Sequence, residues 1–148
     1  MHTIDEPTLT LAFERTLAAP REEVFDAWTR PERISDWWDP TGAPLVSCEI
    51  DLRVGGAFRF VNVGHSPPFA GQYVVIDRPG RLVFESMGSV GTVTLESHGS
   101  GTRMHVTIRC ASKEHLAHFV QLGVAAGTDR TLDNLVRYVA RPASSHAS

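Results

Sequence analysis

Apolar and polar residues alternate along most of the first 111 residues, which predicts a sheet of antiparallel strands. The pattern begins where Leu9, Leu11 and Phe13 alternate with more polar neighbours. Six further strand-like runs follow, separated by short segments rich in glycine and proline. These runs are 45–52, 57–63, 69–76, 82–85, 90–96 and 103–109. Because short turns join antiparallel neighbours, the pattern predicts seven antiparallel strands.

A period close to 3.6 residues replaces the alternation in two short segments between the first and second strands. Pro20 and Pro31 stand at their starts, where the missing proline N–H costs nothing. The second segment ends in Trp37 and Trp38, and we expect one of them in the core and the other at the edge of a cavity. Neither helix is long enough to be stable alone, so both must pack on the sheet.

A third helical pattern closes the chain and is much longer. Ser112 is a suitable N-cap, and the predicted helix runs over 113–140. Its two halves carry apolar residues on opposite faces, so the helix either bends near Gly123 and Gly127 or contacts different parts of the protein with each half. Laid across a curved sheet, a helix with small residues in its middle predicts an internal cavity.

Composition and charge narrow the class of protein. The 148 residues, 42% of them hydrophobic, predict one domain over 8–141 with flexible termini at 1–7 and 142–148. A net charge of −3 argues against nucleic acid as a partner. We expect no membrane span, and the N-terminus lacks signal-peptide features, so the expected location is cytoplasmic. Cys48 and Cys110 are expected to be small buried thiols.

No catalytic group, metal or cofactor is assigned from the sequence. His115 and His118 are three residues apart on the closing helix, but no third ligand has a matching spacing, so we expect a solvated pair. His105 alternates with apolar neighbours and is expected on the outer face of the sheet. No nucleophile with an adjacent base, and no oxyanion motif, can be identified.

Several motifs together resemble a known family. They are Phe13-Glu14-Arg15-Thr16, Val24-Phe25-Asp26-Ala27-Trp28, Trp37-Trp38-Asp39-Pro40-Thr41-Gly42, Gly55-Gly56 before Phe58-Arg59, and Gly71-Gln72-Tyr73 before Arg81-Leu82-Val83-Phe84. They are similar to motifs of the START-like, birch-pollen-allergen-like superfamily (SRPBCC, Bet v 1-like). Within it, the chain resembles the group named for the activator of heat-shock protein 90 ATPase homologue. The resemblance covers nearly all of residues 9–140.

The resemblance implies an α+β, helix-grip fold, with the curved seven-stranded sheet wrapped on a long C-terminal helix. Two positions depart from the family pattern. Asp39 replaces the glycine usual after the tryptophan pair, and Thr128 stands where the closing helix commonly carries tryptophan. Since a buried tryptophan covers about 200 Å², we expect a cavity roomier than is typical, or one with a differently shaped mouth.

The favoured function is that of a carrier or sensor of a small hydrophobic or aromatic molecule. The predicted ligand contacts are Trp38, Phe58, Phe60, Asn62, Tyr73, Phe84, Met87, Phe119, Gly123 and Gly127. One alternative is an enzyme like the polyketide cyclases and dehydratases of the superfamily, which a buried, paired acid or histidine would favour. The other is a chaperone-regulating interaction module, which an exposed apolar patch would favour; the same patch would also indicate a homodimer.

Overall fold

The computed structural model describes residues 2–64 and 68–140. The predicted tail 142–148 and the centre of the predicted loop 64–68 lie outside the described residues. The strands are β1 (His2–Asp5), β2 (Thr10–Leu17), β3 (Ser47–Ile50), β4 (Ala57–Val61), β5 (Phe69–Asp77), β6 (Arg81–Ser86), β7 (Ser89–His98) and β8 (Gly101–Arg109). The helices are α1 (Arg21–Thr29), α2 (Pro31–Ile34), α3 (Lys113–Gln121) and α4 (Val124–Val139).

The described strands form one antiparallel sheet in the order β1-β2-β8-β7-β6-β5-β4-β3. This confirms the α+β, helix-grip fold, but the sheet has eight strands rather than the predicted seven. The additional strand, β1, lies within the segment 1–7 that was expected to be a flexible terminus, and it pairs with β2. It has four residues and is largely exposed, so no buried alternation indicated it.

One face of the sheet carries the core. In β2 the inward residues are Leu11, Phe13 and Leu17, all buried, and β4 contributes Phe58 and Phe60. The helices cover this face, and their apolar residues belong to the same core cluster. Alternation with a period of two therefore identified the buried face of these strands correctly.

The two short helices hold the tryptophan pair against this core. Both begin beside the prolines noted above, with Pro20 at the N-cap of α1 and Pro31 as the first residue of α2. Trp37 is fully buried, and its indole nitrogen donates a hydrogen bond to the carbonyl of Ala27 over 3.1 Å. This bond attaches the segment after α2 to α1. The neighbouring Trp38 is thereby held above the sheet.

The closing helix is broken into two, which corrects the prediction of one continuous helix. Ser112 caps α3 as expected, accepting a hydrogen bond from the amide of His115. After Gln121 the chain leaves the helix, and Gly123 adopts a left-handed conformation with a φ of 78° before α4 begins. Glycine takes this conformation at no steric cost, so the break occurs at the first of the two glycines where a bend was anticipated.

Polar contacts attach α4 to the sheet. Arg15 shares the inward face of β2 with the core residues, and its guanidinium contacts Asp129 at 2.9 Å and Asp133 at 3.0 Å. Arg15 thereby ties the middle of α4 to β2. None of the helices in 2–64 and 68–140 is both long and apolar enough to cross a bilayer.

Candidate functional site

A pocket of about 470 Å³ lies between the inner face of the sheet and the first turns of α4. This volume is in the range of small-molecule sites, about 300–1,000 Å³. Most of the wall is apolar, and three of its polar residues are hydrogen-bonded to one another. The lining residues are Trp28, Trp38, Asp39, Pro40, Thr41, Asn62, Val63, Phe69, Phe84, Ser86, Met87, Ser89, Gly91, Val106, Ile108, Phe119, Val124, Gly127, Thr128, Thr131 and Leu132.

Beside the pocket, large side chains fill the space under the sheet. We call this set the aromatic layer: Trp28, Ile34, Trp38, Phe58, Phe60, Phe69, Tyr73, Leu82 and Phe84. The void between them is about 10 Å³, room for about one water molecule. Phe58 lies at its centre, with ring centroids of Phe60 and Tyr73 at 5.3 and 5.1 Å. Burial raises the pKa of the Tyr73 phenol, so this side chain stays neutral.

Small residues explain why space remains on one side of Phe84. A Cβ on Gly91 would lie 2.6 Å from two carbons of the Phe84 ring, so glycine lets the ring lie across β7. On α4, Gly127 presents no side chain, and a Cβ there would meet only Pro40, at 3.9 Å. Thr128, also in the lining, is another small residue.

The hydrogen-bonded polar residues of the pocket wall centre on a buried carboxylate. We call this set the polar corner: Asp39, Thr41 and Asn62. Asp39 is 5% exposed. Its Oδ1 accepts hydrogen bonds from the Thr41 amide (2.8 Å) and hydroxyl (2.6 Å), and its Oδ2 accepts one from the Asn62 amide group (2.8 Å). Three neutral donors therefore hold the carboxylate in the pocket wall.

These hydrogen bonds determine the charge of Asp39. Burial by itself raises the pKa of the Asp39 carboxyl, but the bonds from the Thr41 hydroxyl, Asn62 and the Thr41 amide outweigh it. The resulting pKa is below the ordinary value, so Asp39 is an anion at neutral pH. A carboxylate stabilised in this way is a weak base.

The main chain on both sides of Asp39 is also fixed. Asn134 donates from its side-chain amide to the Asp39 carbonyl over 2.9 Å, and Thr131 donates from its hydroxyl to the Trp38 carbonyl over 2.9 Å. Both donors come from α4. The segment carrying Asp39 is therefore attached to α4, the helix that also lines the pocket.

The chain matches a known protein family. The profile of the family described as "Activator of Hsp90 ATPase homolog 1-like protein" matches residues 18–140. The chain belongs to this family. Its matched region contains every helix and all but the first two strands in full, so the family resemblance inferred from the motifs is confirmed. Family and fold together support a ligand-binding or regulatory module.

Solved structures agree on the fold of this family member. Protein NE0264 from Nitrosomonas europaea is 22% identical with a TM-score of 0.83, covering 95% of this chain and 98% of its own. Protein Ms6760 from Mycobacterium smegmatis is 22% identical with a TM-score of 0.82, covering 96% and 97%. CalU16 from Micromonospora echinospora is 25% identical with a TM-score of 0.65, covering 88% and 76%. No curated protein matches the chain significantly.

The residues predicted to contact a ligand fall into three groups. Those lining the pocket are Trp38, Asn62, Phe84, Met87, Phe119 and Gly127. Phe58, Phe60 and Tyr73 lie in the aromatic layer, behind the pocket wall. Gly123 is exposed at the break between α3 and α4 and is not part of the lining. The sequence thus identified the buried face of strands such as β4 and β8, but not which inward residues border open space.

Met87 reaches the pocket from a tight turn. It and Gly88 connect β6 to β7, with φ values of 53° and 76°. Two successive positive φ values are typical of a type I′ hairpin turn, which prefers asparagine, aspartate or glycine at the first position. Met87 is therefore held in a conformation unusual for its type, and the residue is 59% exposed.

Sequence reasoning missed the importance of Asp39, Thr41 and Thr131. For Asp39 a signal existed, because it replaces the glycine usual after the tryptophan pair. Thr131 and Thr41 gave no signal, since isolated threonines at such positions are ordinary. Their partners lie 93 and 2 residues away, and only folding brings the Thr131 hydroxyl to the Trp38 carbonyl.

The histidines and cysteines do not form a metal site in the described part of the chain. His115 accepts a hydrogen bond from the Ala111 amide and lies edge-on against Phe119, while His118 is exposed. Both cysteines are free thiols, and burial with the nearby Glu32 charge raises the pKa of Cys48 to about 11. A thiol with so high a pKa is a poor nucleophile.

Proposed function

We propose that this protein binds a small hydrophobic or aromatic molecule as a carrier or sensor. The observation that carries the proposal is the pocket of about 470 Å³ with a mostly apolar wall and one polar corner. Apolar walls with a few convergent polar groups are typical of small-molecule sites. The protein family is consistent with a ligand-binding role.

The position of Thr128 offers a direct test. In the variant Thr128→Trp a large ring would fill the space beside Gly127, whereas Ala126→Trp puts the same ring on an exposed part of α4. Binding of the neutral probe 2-(2-naphthyl)ethanol would be measured by isothermal titration calorimetry. We expect Thr128→Trp to weaken binding about tenfold or more and Ala126→Trp to leave it unchanged. Equal binding by both variants would contradict the proposed site.

Native mass spectrometry of freshly purified protein gives an independent test. A co-purifying molecule that is retained by the unmodified chain and by Ala126→Trp, but lost from Thr128→Trp, would support the proposal. Bound apolar ligand also raises apparent stability, by about 2.7 kcal/mol at a hundredfold excess over the dissociation constant. A thermal-shift screen of aromatic compounds would therefore rank candidates.

Asp39 favours a second candidate, an enzyme that uses the same pocket for a polyketide-like or aromatic substrate. It is a buried, hydrogen-bonded acid in the pocket wall. Its lowered pKa makes it a weak general base, which ranks this candidate below simple binding. Conversion of an aromatic polyketide by the unmodified protein, abolished in Asp39→Asn, would establish it. A homodimer, a chaperone-regulating role and a cytoplasmic location stay predictions from the sequence.

A further inference from the structure

The negative charge of Asp39 has no cationic counterpart in the described residues. Its three hydrogen bonds come from an amide N–H, a hydroxyl and a side-chain amide, all neutral. Within residues 2–64 and 68–140, the ion pairs of the protein involve other carboxylates. Asp39 is thus a buried anion whose charge is solvated by dipoles alone.

Asp129 provides the contrast within the same protein. It is also largely shielded from solvent, but Arg15 and His2 both contact its carboxylate. Buried charges in proteins are ordinarily paired with an opposite charge or bound to a metal. The hydrogen bonds of Asp39 stabilise its ionised form but bring no positive charge to it. The charge of Asp39 is therefore still available to a cation that enters the pocket.

The geometry leaves an oxygen for such a cation. Oδ1 of Asp39 already accepts two hydrogen bonds from Thr41, whereas Oδ2 accepts one, from Asn62. A carboxylate oxygen can accept two, so Oδ2 retains acceptor capacity. The attachments of the Trp38 and Asp39 carbonyls to α4 hold this oxygen in place.

The remaining wall of the pocket indicates the chemistry of the rest of the ligand, the part that carries the cationic group. The Trp38 ring, next in sequence to Asp39, packs against Phe60 and Phe69 with centroid distances of 5.1 Å, and both Trp38 and Phe69 line the pocket. The face of an aromatic ring attracts a cation electrostatically, and it also packs against apolar groups. Further from Asp39 in the sequence, Val106, Ile108 and Leu132 add aliphatic surface to the wall.

We propose that the pocket binds an amphipathic amine, with its ammonium group paired to Asp39 and its apolar or aromatic body against the wall formed by Trp38, Phe69 and the aliphatic residues. This inference rests on the proposed ligand-binding function and names the ligand class. A hydrated metal ion is a poorer match, because a single carboxylate and an apolar wall do not supply the ligands it requires.

The experiment compares two probes that differ in charge. They are 2-(2-naphthyl)ethylamine, protonated at pH 7, and its neutral counterpart 2-(2-naphthyl)ethanol. Dissociation constants would be measured by calorimetry for the unmodified protein and for Asp39→Asn, Asp39→Gly and Asp36→Asn. Asp36 is an exposed carboxylate three residues away, so its variant controls for general loss of negative charge.

We expect the amine to bind the unmodified protein on the order of tenfold more tightly than the alcohol, as a charge-assisted hydrogen bond would give. Asp39→Asn and Asp39→Gly should reduce this preference to about one, while Asp36→Asn should keep it. Asparagine has the size of aspartate, and the Asn62 amide can turn to accept its N–H, so at least this variant should fold.

Two results would overturn the inference in distinguishable ways. If the alcohol binds as tightly as the amine, and Asp39→Asn changes neither, the amine assignment is wrong and the proposed function stands. If neither probe binds, and native mass spectrometry finds no retained molecule, the proposed function is wrong and the inference falls with it. Thermal melts of each variant identify any that is unfolded.

Discussion

The space beneath the sheet has two halves that differ in how they are filled. The aromatic layer leaves about 10 Å³ unoccupied, whereas the neighbouring pocket leaves about 470 Å³. Both halves lie under the same sheet and share Trp28, Trp38, Phe69 and Phe84. The remaining side chains differ: bulky rings from β4 and β5 fill one half, whereas the lining of the other half includes several glycines, serines and threonines.

This comparison separates stability from function within one core. Every contact between rings in a packed region stabilises the fold, so truncating one of its side chains should lower the free energy of unfolding substantially. A pocket loses those contacts and must be supported by other means. Here the support is polar: Arg15 with Asp129 and Asp133, Thr131 with Trp38, and Asn134 with the Asp39 carbonyl. The two halves should therefore respond differently to mutation.

The largest expected effect comes from truncating a ring in the aromatic layer. Phe58→Ala should lower the free energy of unfolding by about 3–5 kcal/mol, because the side chain is buried among other rings. Ile108→Ala, in the half-buried pocket wall, should cost only about 1–2 kcal/mol. Urea unfolding measures both. Equal losses would show that the pocket is as tightly packed as the layer.

Substitutions at two glycines, one packed against Phe84 and one facing open space, test the same comparison with smaller expected effects on stability. In Gly91→Ala the new Cβ would overlap the Phe84 ring, so we expect a loss of about 1–3 kcal/mol and a displaced ring. In Gly127→Ala the Cβ enters open space within a helix, so we expect a gain of about 0.5–1 kcal/mol. Urea unfolding of the two variants should give opposite signs. A loss for Gly127→Ala would indicate that the pocket side of α4 is not open.

The polar support should be visible in the pH dependence of stability. Burial raises the pKa of Asp129, but Arg15 and His2 outweigh it and hold the pKa at about 2, below its ordinary 3.8. A carboxyl with a lowered folded pKa stabilises the protein fully above its unfolded pKa, and this stabilisation is lost as the pH falls through the folded value.

Asp129→Asn should therefore destabilise the protein at pH 7 by on the order of 1–2 kcal/mol. The difference from the unmodified protein should shrink between pH 4 and pH 2, as measured by urea unfolding. Asp133→Asn is the matched control, since this partner of Arg15 is more exposed and should matter less. A difference that stays constant with pH would exclude the ion pair as its source.

The sequence predicted most of the fold because its main elements depend on local patterns. Alternation identified seven strands, Pro20 and Pro31 marked the two short helices, and Ser112 marked the start of α3. The break in the closing helix was only half predicted, since glycine at 123 permits a left-handed residue but does not require one. Strand β1 was missed because a short exposed edge strand has no buried face to alternate.

The candidate site was less predictable, because it depends on which inward residues meet across the core. Phe60 and Phe84 both alternate inward, but only Phe84 borders the pocket as well as the aromatic layer. The difference arises from Gly91 on the neighbouring strand, which no pattern within β6 reveals. Likewise, the Asp39 substitution was visible, but its hydrogen bond to Asn62 spans 23 residues.

The smallest expected effect concerns Met87, a residue of the pocket lining whose backbone conformation is unfavourable for methionine. Met87 occupies the first central position of the β6–β7 turn with a φ of 53°, a conformation that asparagine adopts more readily. Met87→Asn should therefore raise the free energy of unfolding by about 0.5–1 kcal/mol. Met87→Leu keeps an apolar side chain in the same conformation and should leave stability nearly unchanged.

Because Met87 lines the pocket, the asparagine variant should also bind 2-(2-naphthyl)ethanol more weakly than the leucine variant does. A gain in stability without any loss of binding would mean that methionine at this position is not retained for the ligand.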